Sequence, residues 1–152
     1  MRELGVIEQR IKDESTAALK AGDKRRRDAL SSFVAALKKE RIDSRRQPTE
    51  ADELTVLKRE RKRRAEAIEL YDGAGRVDLA DQERYEEELL KGYMPEELGD
   101  SELEALVDEG VAATGAATPR DMGKVMGWLK PKVAGRADGK KLSELVRGRL
   151  GG

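Results

Sequence analysis

The sequence predicts an all-α protein, with an N-terminal four-helix antiparallel subdomain over residues 1–94 and a small C-terminal three-helix subdomain over 95–152. Three observations carry that prediction. Apolar residues recur at three- and four-residue steps through every long segment, and no alternating strand pattern occurs. Helix breakers are confined to short stretches between those segments. The core formers are Leu, Val, Ile and Ala, with only five aromatics: Phe33, Tyr71, Tyr85, Tyr93 and Trp128.

Leu4, Ile7, Ile11, Ala18 and Leu19 place a first helix over 2–21. Gly22-Asp23 ends it, and Asp23 supplies a cap for the next. The second helix covers 24–44, with Leu30, Phe33, Val34, Leu37 and Ile42 inward. After the break at Pro48, Thr49 caps a third helix over 50–72, with Asp52 and Glu53 in its first turn. Its expected inward stripe is Leu54, Leu57, Ala65, Ile68 and Tyr71. Arg61 and Arg64 fall beside that stripe, so their stems are expected to cover the core while their heads reach acids of a neighbouring helix. Gly73-Ala-Gly75 turns the chain into a fourth helix over 78–92, carrying Leu79, Tyr85, Leu89 and Leu90. The breakers from Gly92 to Gly99 mark the subdomain boundary. Ser101 and Glu104 read as a capping box for the fifth helix, with Leu103, Leu106, Val107 and Val111 inward. Thr118-Pro119 opens the sixth, with Met122, Val125, Met126 and Leu129 as its core face and Pro131 stopping it soon after. Gly135 to Gly139 form a turn or cap before the seventh, which carries Leu142, Leu145, Val146 and Leu150.

Composition removes several chemistries. The 152 residues include no His and no Cys, which leaves no imidazole base, no thiolate nucleophile, no His/Cys zinc site and no disulfide. No cofactor and no metal are expected. The longest apolar run is the five residues from Phe33 to Leu37, so no membrane span and no cleavable leader are expected, and the cytoplasm is the expected compartment. A net charge of zero conceals segregation: residues 24–64 carry 15 basic and 7 acidic groups, 66–109 carry 3 and 16, and 115–152 carry 9 and 3. Such blocks pair with one another inside a fold or leave one of them facing a polyanion.

Two sequence blocks resemble the GatB/YqeY family. The first is Gly75-Arg76-Val77-Asp78-Leu79, Glu83-x-x-Glu86 and Leu90-x-x-Tyr93-Met94-Pro95; the second runs from Pro119 to Met126 and from Pro131 to Lys140. Ala134 departs from the pattern where Lys is usual, as does Met94 where Leu is usual. The resemblance implies two helical subdomains and kinship with the C-terminal tail of the B subunit of the tRNA-dependent amidotransferase, a region that engages tRNA. It also implies the label given to stand-alone members, carbon–nitrogen ligase with glutamine as amido-N-donor.

The residues themselves favour binding over independent catalysis. No Lys–Ser pair of the amidase kind occurs, activation of a hydroxyl without His would fall to Lys or a carboxylate, and consecutive Glu86, Glu87 and Glu88 point in different directions on a helix. Gly135-x3-Gly139-Lys140-Lys141 is one residue short of a phosphate loop and follows a helix rather than a strand. No catalytic residue is therefore assigned. The expected RNA-binding set is Lys124, Lys130, Lys132, Arg136, Lys140 and Lys141, whose bland alternative is a solubilising surface. Lys140-Lys141 at a helix start opposes the local dipole, as a phosphate site would explain. Trp128 reads as core packing before it reads as a stacking platform, and Gly123 as close helix packing. In the basic run of the third helix, pairing with the acidic block is favoured, with Lys58, Arg59, Lys62 and Arg63 as secondary RNA contacts. The expected partners are tRNA and an aminoacyl-tRNA synthetase or amidotransferase complex; the alternative is a protein adaptor docking through the acidic fourth helix.

Overall fold

The computed structural model describes residues 3–151. They form α1 (Val6–Lys20), α2 (Lys24–Ser44), α3 (Glu50–Gly73), α4 (Val77–Lys91), α5 (Asp100–Thr114), a 3₁₀ turn (Pro119–Asp121), α6 (Met122–Val133) and α7 (Gly139–Arg149), and no strand occurs among them. The expected start of the first helix at Arg2 lies outside the described residues. The chain divides into two compact units, Met1–Met94 and Pro95–Gly152.

In the first unit α1 and α2 run antiparallel. Glu8 meets Arg41 at one end of the pair, and Ser15 meets Ser31 and the Arg27 carbonyl at the other. α3 and α4 form a second hairpin around the Gly75 turn, whose φ of +73° suits glycine. Ile7, Ile11, Leu30, Phe33, Leu37, Val56, Leu57, Leu90 and Tyr93 make the core. The Tyr93 hydroxyl donates to Glu14 while Arg10 lies 4.9 Å over its ring, which ties the end of this unit back to α1.

Expected core positions Leu19, Ile42 and Ala65 are instead exposed. Leu19 and Ile42 fall out of phase with the buried faces of their helices, which run through Ile11, Ser15 and Ala18 on α1 and through Leu30, Phe33 and Leu37 on α2. Ala65 is displaced because α3 turns a different face inward, made of Glu53, Val56, Leu57, Glu60 and Arg64. Three of those five are charged, which apolar periodicity cannot anticipate.

Each inward charge is paired. Arg64 Nε reaches Glu86 at 3.1 Å on α4, and its Nη1 donates to the Glu60 carbonyl at 3.0 Å and the Glu60 carboxylate at 3.2 Å. The guanidinium also lies 5.1 Å over the Phe33 ring. The expected reach of Arg64 toward an acid of a neighbouring helix is thus observed. Arg41 holds buried Glu8 with two hydrogen bonds of 3.0 and 3.1 Å. Buried Glu53 accepts from the backbone N–H groups of Ile7 at 3.1 Å and Glu8 at 2.7 Å, so a side chain of α3 caps the start of α1. Gly5 is required beside it, because a Cβ there would collide with the Glu53 carboxylate.

In the second unit Leu103, Val107, Val125, Leu129, Val133, Leu142, Val146 and Leu150 form the core between α5, α6 and α7. The capping box expected at Ser101 is absent: α5 starts at Asp100 with Gly99 as its cap, and the Asp100 side chain is engaged by Lys141. Pro131 lies in the last turn of α6, which ends at Val133. Ala134 and Gly135 then take left-handed conformations with φ of 48° and 77°. They redirect the chain so that the Leu98 N–H can donate to the Arg136 carbonyl at 2.8 Å.

Candidate nucleic-acid interface

α6 carries Lys124, Lys130 and Lys132 and no acidic residue. At about 100° per residue, Val125, Leu129 and Val133 define its buried side. Lys124, Trp128 and Lys132, spaced at four-residue steps, share one flank of the opposite side. Gly123, Gly127 and Pro131 lie along its exposed middle, and Lys130 falls on the far flank. Arg120 is exposed on the 3₁₀ turn that leads into α6 and adds a cation near its start. Arg120 is absent from the expected set, although its four-residue step to Lys124 is visible in the sequence.

The six expected RNA-binding side chains separate into two groups. Among the described residues no carboxylate pairs with Lys130, Lys132 or Lys140, which are all exposed. Lys124 stands 3.9 Å from Asp121 and its side chain is 71% exposed. The Asp121 carboxyl is held below its usual range chiefly by the N–H groups of Ala117 and Thr118, with Lys124 a smaller influence. Its charge is therefore committed mainly to the turn, and Lys124 is left facing solvent.

Lys141 and Arg136 behave differently. Lys141 pairs with Asp100, and that hydrogen bond, helped by Glu97 and Glu104, holds its pKa above the usual lysine value. Arg136 Nε donates to the Glu96 carbonyl at 2.8 Å. Both side chains thus bind elements of their own unit rather than standing with the other four. The cost expected for lysines at the start of α7 is offset as well, because Asp138 caps the helix through the Lys140 N–H.

Trp128 is partly buried against the core of this unit. Its ring rests on buried Gly110 of α5, where an added Cβ would stand 2.9 Å from Cε3 and 3.3 Å from Cζ3. The Lys132 ammonium lies 4.4 Å over the same ring. Nothing in the sequence marks Gly110, and only the packed structure gives it a role. We expect Gly110→Ala to shift the Trp128 emission maximum and to destabilise the unit by about 1–2 kcal/mol, since the ring must move to admit the methyl. A fluorescence-monitored urea titration checks this; unchanged emission and stability would refute the contact.

Gly123 does not serve close helix packing, contrary to expectation. A methyl placed on it or on Gly127 would meet nothing within 4 Å, and each glycine weakens an exposed helix by roughly 1 kcal/mol relative to Ala.

Elsewhere the charged clusters are self-satisfied. Arg63, Arg64, Ala67, Glu83 and Glu86 line an open cleft of about 190 Å³. Glu86 is held there by Arg64 and Gln82, and Glu60 by Arg63 and Arg64. Burial first, and Glu86 second, hold the Glu83 carboxyl above its usual range. Of the secondary RNA candidates, Arg59 pairs with Glu40 at 3.7 Å and Arg63 with Glu60 at 2.9 Å. On α4, Asp78 pairs with Arg76, Asp81 with Arg84, and Glu87 and Glu88 with Lys91. No helix among the described residues is long and apolar enough to cross a membrane.

Fold and surface together define an all-helical protein of two units whose C-terminal unit exposes a cationic helix. Residues 8–150 match the Yqey-like protein family, and the chain belongs to that family. A comparison with curated proteins finds no match.

Proposed function

We propose that this YqeY-like protein is an RNA-binding accessory module without a catalytic centre of its own, acting on tRNA alongside an aminoacyl-tRNA synthetase or amidotransferase complex. The observation that carries the reading is α6, an acid-free helix whose lysines face solvent with their charges largely uncompensated. Lys124, Lys130, Lys132 and Lys140 supply the phosphate contacts. Arg136 and Lys141 shape the surface by anchoring the turn after α6 and the start of α7. The tRNA class comes from the resemblance to the amidotransferase tail. A glutamine-dependent carbon–nitrogen ligase role would have to draw its nucleophile and its ATP site from another subunit. Docking of a basic protein on α4 is less favoured, because most of that helix's acids already have internal partners.

Filter binding with a tRNA transcript tests the reading. Four phosphate contacts predict that affinity falls about 50- to 150-fold between 50 and 200 mM salt. The combined variant Lys130→Ala, Lys132→Ala and Lys140→Ala should flatten that dependence, whereas Lys141→Ala should change it little. Undetectable or salt-insensitive binding would remove the proposal.

A further inference from the structure

We propose that Trp128, flanked by Lys124 and Lys132, seats one unpaired base of a bound RNA strand, with the neighbouring phosphates taken by the two lysines. This rests on the RNA reading above and adds the feature of the RNA that is recognised.

A stacking platform needs a flat ring that does not move when the base arrives. Gly110 contributes to that here: without a Cβ it lets the α5 backbone close on the Cε3–Cζ3 edge of the indole, so backbone rather than a mobile side chain braces the ring. The ring must also be reachable. The ring is partly buried against the core of the unit, and the Lys132 ammonium, the end of a flexible chain on an exposed residue, lies 4.4 Å over its face. Exposed cation–π contacts are weaker than base–aromatic stacking, so an incoming base displaces the ammonium. The displaced lysine then lies beside the strand, where a phosphate attracts it.

Four residues correspond to about 6 Å of rise along the helix, which puts one lysine on either side of the indole within reach of the same short stretch of backbone. Gly127 and Pro131 border this line without long side chains, leaving clearance for a sugar–phosphate chain. No acid on α6 opposes the approach. A duplex keeps its bases stacked on one another and offers none to the ring. The site therefore favours loops and single strands.

The chain has one tryptophan, so emission excited selectively in the indole band, beyond tyrosine absorption, reports this ring alone. Titrations of the full chain with a tRNA transcript, a single-stranded 12-nucleotide oligouridylate and a blunt 12-base-pair RNA duplex decide the matter. The first two should quench Trp128 saturably, and the duplex should leave its emission unchanged. Trp128→Leu should weaken oligouridylate binding about 5- to 100-fold, as loss of one stacked base does, with the salt dependence retained. Trp128→Phe, which preserves an aromatic face, should recover most of it. Salt-dependent tRNA binding with unaltered emission would overturn the base seat and leave the RNA reading intact. Absence of any RNA binding would overturn both.

Discussion

Glu53→Ala should destabilise the first unit by about 2–3 kcal/mol, because it removes two hydrogen bonds that a charged group makes in a buried setting. The Glu53 carboxylate, 3% exposed, receives the Ile7 and Glu8 amides at the start of α1. α1 has no cap of its own there, since Gly5 occupies the cap position without a side chain. Truncation leaves both amides without an acceptor at a point where water has poor access. Glu53→Gln should fall between, because one of its two terminal atoms is a donor facing a donor. Gly5→Ala tests the same contact from the other side, since the methyl collides with the carboxylate. Urea titrations followed by far-UV circular dichroism measure all three. A Glu53→Ala midpoint equal to the parent's would show that the amides find another acceptor.

Arg64→Ala should cost still more, about 3 kcal/mol or above, the amount typical of removing one partner from a buried ion cluster. Arg64 serves Glu60 and Glu86 together, and among the described residues its loss leaves Glu60 with Arg63 alone and Glu86 with only the neutral Gln82 amide. Replacing all three by apolar residues (Arg64→Met, Glu60→Leu, Glu86→Leu) should recover much of the loss, because the charges then no longer need compensation. The pH dependence has a definite sign. Burial, then Glu86, raises the Glu83 pKa in the folded protein, while Arg64 pulls it down. A raised carboxyl pKa favours the folded state below the unfolded value and loses that benefit as pH rises through the folded value. Removing Arg64 raises the folded value further. The deficit of Arg64→Ala should therefore be larger at pH 7 than near pH 5. Equal deficits at both pH values would show that Glu83 does not feel Arg64.

The helices themselves were legible in the sequence because periodicity and caps act locally. Asp23 and Thr49 accept from the amides of Arg26 and Asp52 as their positions imply. α2 begins and ends where expected, and α3 and α4 do so within one residue. The phase of α3 was not legible. Its apolar residues suggest one stripe, yet the inward face includes Glu53, Glu60 and Arg64. A charge enters a core only when partners from elsewhere in the chain meet it. Those partners are the α1 amides for Glu53 and Glu86 of α4 for Arg64.

The candidate interface divides in the same way. That the C-terminal segment is cationic, and that α6 lacks acids, can be counted from the residues alone. Which lysines remain available cannot be counted, because Lys141 meets Asp100 forty-one positions away. The support that Gly110 of α5 gives Trp128 of α6 is equally invisible, since an isolated glycine in a helix has many meanings. The sequence alone determined helix content, the order of the elements, family membership and the sign of the charge on each segment, all of which depend on neighbours within a turn or two. Only the tertiary structure decided which charges are consumed in the fold and which face solvent. A side chain's compensation depends on groups brought near it from distant parts of the chain, and local patterns carry no record of them.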